Sequence, residues 1–282
     1  MPEGFEFYPA PAKLNLMLHI TGRRADGYHL LQTVFQLLDF GDEIGFRLRD
    51  DGQIRRVSES TNVAEQDDLV IKAANGLQAV AGEAVCGVDI HVRKKLPMGG
   101  GVGGGSSDAA TTLVVLNDLW KLGLSQDQLS EIGVALGADV PVFVQGQSAW
   151  AEGVGEKLQP LALPGKWYVV INPGCHVSTA EIFSDSDLTR STPLTTIADF
   201  LTHGGRNDCE SVVAKKYPEI AEAIDWLKDF SPAMLTGTGA CVFARFDTEA
   251  EAGDVLRQMP EKYSGFIAKG VNKSPLLDKV TS

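Results

Sequence analysis

The feature of this sequence that most constrains its structure is a run of bare backbone, with six glycines in the seven positions from 99 to 105. A strongly helical stretch follows it directly, from Ser106 through Leu116. Glycine has no Cβ, so such a run can adopt positive φ angles and lets another group approach the backbone closely. The helix adds unpaired N–H groups and the positive end of its dipole. The sequence therefore predicts a loop that binds phosphate groups.

Three other interpretations of the glycine run fit the sequence less well. Its G-x-G-x-x-G spacing matches the dinucleotide fingerprint, but a second helix, capped by Ser125, stands where that fold needs a strand. A Walker P-loop needs a lysine where this chain has Gly105. A flexible linker is not expected between Leu96-Pro97 and a well-patterned apolar helix. Phosphate binding is the interpretation that the context favours.

Composition limits the class of protein and its partners. With 282 residues, 44% of them hydrophobic, the chain can bury one large core or two moderate ones. A net charge of −12 argues against a nucleic-acid partner, because binding a phosphate backbone needs an excess of Lys and Arg. The four cysteines stand singly, which suits a reducing compartment, and we expect all four to be small buried residues. Since no apolar leader or membrane-spanning run is visible, the sequence predicts a cytoplasmic protein without membrane association.

Hydrophobic patterning predicts a mixture of strands and helices. The predicted strands cover 13–20, 44–48, 88–92, 167–172, 242–246 and 266–270. The predicted helices cover 68–81, the stretch from the glycine run to residue 123, a segment after Ser125, and 249–259. A proline-rich passage over 160–165 is the candidate domain boundary.

The first predicted strand carries a cation on one of its faces. Alternation assigns its residues to two faces. The apolar face carries Leu14, Leu16, Leu18 and Ile20. The polar face carries Lys13, Asn15 and His19. A lysine at a strand start is most often an ordinary solvated residue. Phosphoryl transfer, however, needs a fixed positive charge near the transferred group, so the phosphate loop makes Lys13 a candidate functional residue.

A lone carboxylate is the second candidate. Asp139 directly follows a helix stop at Gly137 and precedes an apolar segment. It can be a turn or helix-cap aspartate, which is a common use of this residue. It can equally be a base that accepts a proton from a hydroxyl group. The sequence leaves both interpretations open.

Five segments, in order along the chain, resemble successive motifs of the GHMP kinase family. They are 11–16, 24–29, 96–110, 137–141 and 235–241, and the resemblance runs from Pro9 to Pro275. Within the family, the similarity is closest to the 4-diphosphocytidyl-2-C-methyl-D-erythritol kinases of the non-mevalonate isoprenoid pathway. The resemblance implies a two-domain α/β (α+β) fold with the active site in the inter-domain cleft. It also implies ATP-dependent phosphorylation of the 2-hydroxyl of 4-diphosphocytidyl-2-C-methyl-D-erythritol. The two domains would cover residues 1–160 and 161–282.

The resemblance implies a role for each matching residue. The residues near ATP would be Lys94, Pro97, Met98, Gly99, Gly100, Gly101, Val102, Gly103, Gly104, Gly105, Ser106 and Ser107. Lys13 and Asp139 would form the catalytic pair, with Asp139 taking the hydroxyl proton and Lys13 stabilising charge. The acceptor pocket would be lined by Asn15, Tyr28, His29, Val154 and Thr179. An aromatic ring offers a base its stacking face, and an imidazole offers both a donor and an acceptor to a pyrimidine edge.

The resemblance also implies cofactors, partners and points of departure. ATP and Mg²⁺ would be the cofactors, a cytidyl diphosphate sugar alcohol the second substrate, and the protein a monomer or homodimer. The sequence does not identify the metal ligands; Ser106 and Asp108 are its candidates. Asp68 stands where relatives often have Asn, and Ser184 where some have Lys.

Two alternative functions are considered. One is a GHMP kinase for homoserine or mevalonate, which Tyr28-His29 disfavours. The other is a non-catalytic nucleotide-binding module, which the net charge of −12 disfavours.

Overall fold

Two long antiparallel strands form the centre of the structure, a computed structural model that describes residues 4–58, 63–82 and 85–280. Strands β1 (Glu6–Arg23) and β2 (His29–Arg49) pair along most of their length. They are joined by a turn in which Gly27 has a φ of 92° and Asp26 accepts a hydrogen bond from the Tyr28 N–H. A positive φ is readily adopted only by glycine, which explains this residue at the turn.

Ten strands in the described residues form one sheet. The others are β3 (Ile54–Arg56), β4 (Gly87–Arg93), β5 (Ala149–Gly153), β6 (Lys157–Pro160), β7 (Trp167–Asn172), β8 (Ala233–Leu235), β9 (Val242–Phe246) and β10 (Ser264–Val271). The order across the sheet is β3-β4-β2-β10-β7-β9-β8, with β1 and β5 also paired to β2, and β6 to β5. Strand β10 joins the two halves of the chain, because it pairs with β2 at one end and with β7 along the rest. The domain boundary after residue 160 stays a prediction.

Helices cover the sheet. They are α1 (Leu69–Ala81), α2 (Gly104–Leu119), α3 (Gln126–Val134), α4 (Val140–Gln145), α5 (Thr179–Ser184), α6 (Ile197–His203), α7 (Glu210–Lys216), α8 (Pro218–Lys228), α9 (Glu249–Arg257) and α10 (Pro275–Val280), with a 3₁₀ turn at Glu65–Asp67. The predicted cap of α3 is confirmed: Ser125 accepts from the Gln128 N–H, and the Gln128 side chain accepts from the Ser125 N–H.

The strand predicted over residues 13–20 is shorter than β1, which begins at Glu6. The prediction began too late because Pro9 and Pro11 are unusual residues in a strand. Proline is tolerated there since β1 pairs with no strand other than β2 in the described residues.

The two halves share part of their hydrophobic core. One cluster lies around α1, α2 and β4, and another lies among β7, β9, α8 and α9. A third cluster joins Leu14, Leu38 and Val102 to Tyr168 and Phe243 from the second half. Because these side chains are all buried, the two halves are packed against each other rather than merely linked.

No helix within residues 4–58, 63–82 and 85–280 is long and apolar enough to cross a bilayer.

The burial of the four cysteines agrees with the prediction only in part. All four cysteines are free. Cys209 and Cys241 are buried, as expected, and burial raises the pKa of each thiol to about 12. The expectation was wrong for Cys86, which is exposed, and for Cys175, which is half-buried.

Candidate active site

A cavity of about 740 Å³ lies between residues of the first and second halves of the chain. Its wall includes β1, β2, the glycine loop, the segment before α4, helix α5 and the 237–238 turn. All of the predicted catalytic and acceptor-binding residues line it: Lys13, Asn15, Tyr28, His29, Asp139, Val154 and Thr179. The structure therefore brings these residues together around one space, while their individual roles stay predictions.

Lys13 and Asp139 form an ion pair in the wall of this cavity. Lys13 Nζ lies 3.0 Å from Asp139 Oδ2 and donates a 2.6 Å hydrogen bond to Asn15 Oδ1. The Lys13 side chain is only 3% exposed, whereas that of Asp139 is 32% exposed. The lysine is thus a fixed buried cation, and the carboxylate presents its free edge to the cavity.

Asn15 is held as firmly as Lys13. Its Nδ2 donates to Thr33 Oγ1 at 2.8 Å, and Thr33 in turn donates to the Met17 carbonyl. Its backbone N–H donates to Thr236 Oγ1 at 3.0 Å. Since Asn15, the hydrogen-bond acceptor of Lys13 Nζ, is itself held by Thr33 and Thr236, the fold determines the position of the ammonium group.

A β-bulge changes which residues of β1 face the cavity. The pairing with β2 shifts between Asn15 and Met17, so Asn15 pairs with Phe35 and Leu18 with Thr33. Alternation is therefore reversed after the shift, because a bulge adds one residue without a partner. Leu18 lines the cavity with Lys13 and Asn15, and His19 is buried elsewhere. The prediction that His19 shares the face of Lys13 is wrong for this reason.

Asp139 is not a helix-capping residue. It occupies the N-cap position of α4, but its side chain makes no capping hydrogen bond. Pro141, in the first turn, removes one N–H group that would otherwise need an acceptor. The structure thus contradicts the capping hydrogen bond, places Asp139 in the turn before α4, and pairs its carboxylate with Lys13 in the wall of the cavity; the role of Asp139 as a base stays a prediction.

The glycine loop directs its carbonyl groups toward the protein. The carbonyls of Gly99 and Gly100 accept from the N–H groups of Ala240 and Cys241 at 3.1 and 3.0 Å. The Val102 carbonyl accepts from the Lys13 N–H at 2.9 Å. The loop leads into α2, whose first N–H groups have no acceptor within the helix. This arrangement suits an anion at the start of α2.

Two glycines of the loop leave no room for a side chain. A Cβ on Gly101 would lie 2.3 Å from the Thr236 carbonyl oxygen, and one on Gly103 would lie 2.7 Å from Phe143 Cζ. Both residues also have positive φ angles, 72° and 77°. Glycine is required here because the loop packs directly on the 236–241 segment and on the core.

Some of the predicted nucleotide residues do not present their side chains to the cavity. Val102 is in the shared core, and Ser107 is fully buried with its N–H donated to the Gly103 carbonyl. Lys94 Nζ binds the carboxylates of Asp42 and Asp108 and does not line the cavity. Ser106 does line it, together with Gly101. Ser106 and Ser107 differ because adjacent residues of a helix point in different directions, and a sequence motif does not record which of them faces the cavity.

The acceptor end of the cavity contains an aromatic contact that sequence reasoning missed. Tyr28 lines the cavity and is 65% exposed. The His29 ring stacks on Phe183, with centroids 5.0 Å apart and planes 24° apart. Arg190 donates to His29 Nε2 at 3.1 Å. Phe183 follows Thr179 by one helical turn on α5, and that spacing is the signal that could have found it.

The two departures from the family pattern lie in different places. Ser184 lines the cavity beside Phe183. Asp68 does not: it caps α1 by accepting from the Val70 N–H and forms an ion pair with Arg56. The aspartate is therefore explained by a structural role at the start of α1.

Sequence comparison identifies the family. The model of the GHMP kinases N terminal domain matches residues 68–147, and the model named GHMP kinases C terminal matches residues 188–265. The chain belongs to the GHMP kinase family. This GHMP kinase is 55% identical over 272 residues to the 4-diphosphocytidyl-2-C-methyl-D-erythritol kinase of Halorhodospira halophila, covering 95% of the chain and 94% of the relative. It is 56% identical over 268 residues to the protein of the same name from an Azoarcus species, covering 95% of each.

Solved structures confirm the predicted fold class. A 4-(cytidine 5'-diphospho)-2C-methyl-D-erythritol kinase superposes on this GHMP kinase with a TM-score of 0.81 and 30% identity, over 94% of the chain and 100% of the solved one. The Methanococcus jannaschii mevalonate kinase superposes with a TM-score of 0.69 over 96% of the chain and 100% of its own. The latter shares only 15% identity, so it shows the fold alone.

Proposed function

We propose that this GHMP kinase transfers the γ-phosphoryl group of ATP to the 2-hydroxyl of 4-diphosphocytidyl-2-C-methyl-D-erythritol, in the synthesis of isoprenoid precursors. The observation that carries the proposal is the Lys13–Asp139 pair, which lies in one cavity with a glycine loop and an aromatic pocket. The relatives at 55% and 56% identity that bear this substrate in their names support the choice of acceptor.

The chemistry follows from the geometry of the pair. The acceptor hydroxyl oxygen forms a bond to the γ-phosphorus, the bond from that phosphorus to the β,γ-bridging oxygen breaks, and ADP leaves. The hydroxyl proton moves to the Asp139 carboxylate, whose other oxygen is held by Lys13. The buried Lys13 ammonium stabilises the negative charge on the transferred group without having to reorganise.

The glycine loop and the aromatic pocket hold the two substrates on either side of that pair. The first N–H groups of α2 bind the phosphates of ATP, since the loop has turned its carbonyls away. Tyr28 and His29 hold the cytosine ring at the other end, by stacking and by hydrogen bonding. Binding both substrates at once makes the transfer effectively intramolecular.

The donor set fits a magnesium ion that arrives with ATP. No cluster of three or more acidic, histidine or cysteine side chains in the described residues is arranged to hold a metal. Mg²⁺ commonly keeps its waters and binds substrate phosphates with one or two protein oxygens. Ser106 fits such a role because it lines the cavity, whereas Asp108 does not, because it pairs with Lys94. When bound, Mg²⁺ neutralises the charge on the β- and γ-phosphates.

A direct assay tests this function. Purified protein with ATP and Mg²⁺ is offered the cytidyl substrate, the same sugar alcohol phosphate without the cytidyl group, mevalonate and homoserine. We expect ADP release with the cytidyl substrate only, and ³¹P NMR should locate a new phosphomonoester at the 2-position. Asp139→Asn is the matched control. Faster turnover of mevalonate or homoserine, or release of ADP without a new phosphomonoester, would contradict the proposal.

A further inference from the structure

Arg190 is held in a way that leaves one of its N–H groups for His29. Its Nη atoms donate to the carbonyls of Leu188, Phe183 and Asp185, at 3.1, 2.9 and 2.7 Å. Its Nε donates to His29 Nε2 at 3.1 Å. The three carbonyls belong to the segment that also carries the stacking ring, so the guanidinium ties that segment to the imidazole.

This hydrogen bond determines where the imidazole carries its proton. A guanidinium has no lone pair to offer and stays protonated in proteins, so Arg190 can only donate. His29 Nε2 must then accept, and the ring hydrogen must be on Nδ1. Burial lowers the pKa of His29, and the positive charges of Arg190 and Arg23 lower it further. The charged ring is therefore disfavoured by the same surroundings that select the neutral tautomer.

The other nitrogen is available to a ligand. His29 lines the cavity, and its Nδ1 has no hydrogen-bond partner in the described part of the chain. Stacking on Phe183 holds the plane of the ring. The expectation from sequence, that the imidazole offers both a donor and an acceptor to a pyrimidine, is wrong because Arg190 occupies the acceptor.

We propose that Arg190 is a positioning residue for base recognition, which fixes His29 as a donor through Nδ1–H and so selects cytosine over uracil. The proposal rests on the function proposed above. The cytosine edge has acceptors at N3 and O2, whereas the N3 of uracil carries a hydrogen. A fixed N–H donor facing N3 can therefore bond cytosine but meets another donor in uracil. Hydrogen bonds to a required acceptor discriminate strongly, because a mismatch leaves both groups unpaired.

The first test uses the free protein and does not depend on the substrate. ¹⁵N-labelled histidine NMR of the wild type should show His29 with a protonated Nδ1 and an unprotonated Nε2. Arg190→Met removes the donor and should yield a mixture of tautomers. Arg23→Gln is the matched control, since it removes a neighbouring charge but not the hydrogen bond, and it should retain the Nδ1–H form. A proton on Nε2 in the folded wild type would overturn the proposal, whatever the variants do.

The second test measures base selection. The ratio of kcat/KM for the cytidyl substrate to that for its uridyl analogue should fall at least about tenfold in Arg190→Met, through KM and with the KM for ATP unchanged. An unchanged ratio in a folded variant would overturn the inference while leaving the proposed function intact. If the wild type turns over neither substrate although Nδ1 of His29 is protonated, the proposed function is overturned, and base selection with it.

Discussion

Lys13 Nζ and Asp139 Oδ2 are 3.0 Å apart, although β1 and the start of α4 are far apart in the sequence. The ammonium group is buried and the carboxylate is partly open to the cavity. This asymmetry means that removing each partner has a different consequence. Loss of the carboxylate leaves a buried cation without a negative partner, held by Asn15 and the Phe35 ring, whereas loss of the lysine leaves a carboxylate that water can reach.

Asp139→Asn should abolish most of the turnover. The amide keeps the shape of the side chain but cannot take the hydroxyl proton, so we expect kcat to fall by roughly 10² to 10⁴ with substrate binding nearly intact. Initial-rate kinetics with the cytidyl substrate measure kcat, and calorimetry with ATP measures binding. Near-normal turnover would mean that catalysis depends on positioning alone.

Lys13→Met should reduce turnover without unfolding the protein. Methionine keeps an apolar stem in the buried site but removes the charge that stabilises the transferred phosphoryl group, so we expect kcat to fall by about 10² or more. The double variant with Asp139→Asn should lose less than the product of the two single losses, because the groups act as a unit. Multiplicative losses would show that the two residues act independently.

Gly101→Ala should weaken ATP binding. The new Cβ meets the Thr236 carbonyl oxygen at 2.3 Å, so the loop must move away from the 236–241 segment. We expect the Kd for ATP to rise at least about tenfold, which corresponds to about 1.4 kcal/mol. Gly52→Ala is the matched control, since Gly52 also has a positive φ, 68°, but no atom within 4 Å of its Cβ position. Its ATP affinity should be unchanged, and equal effects of both variants would contradict the loop assignment.

The free energy of unfolding of Asp108→Asn, relative to that of the wild type, should increase as the pH rises. Burial raises the pKa of the Asp108 carboxyl to about 7 against the pull of Lys94, and the nearby Asp42 carboxylate adds to the rise. The ordinary value is 3.8, so between about pH 4 and 7 the folded protein holds a proton that the unfolded chain releases. The wild type therefore loses stability as the pH rises through this window, and the variant lacks that loss.

Urea unfolding at pH 5 and pH 8 measures this effect. The free energy of unfolding of Asp108→Asn, relative to the wild type, should increase by about 1 kcal/mol or more between the two pH values. A difference that does not change with pH would show that the carboxyl is ionised throughout.

Local chemistry made much of this protein predictable from its sequence. The glycine loop could be recognised because only glycine lets the backbone adopt positive φ and approach another chain segment closely. The cap of α3 could be predicted because Ser125 and Gln128 bond to each other's backbone within one helical turn. The family motifs likewise identified some of the residues that line the cavity, among them Lys13, Asn15 and Asp139, since each motif is a short continuous segment.

The sequence by itself thus determined the fold class, part of the strands and helices, and the glycine loop, because these properties depend on neighbours along the chain. Only the tertiary structure decided which of them meet. The bulge after Asn15 turns Leu18 rather than His19 toward the cavity, and it depends on how β1 pairs with β2. The bond from Arg190 to His29 joins segments far apart in sequence, and so does the pair of Lys13 with Asp139. Such contacts are determined by the packing of the whole chain, and no local pattern records them.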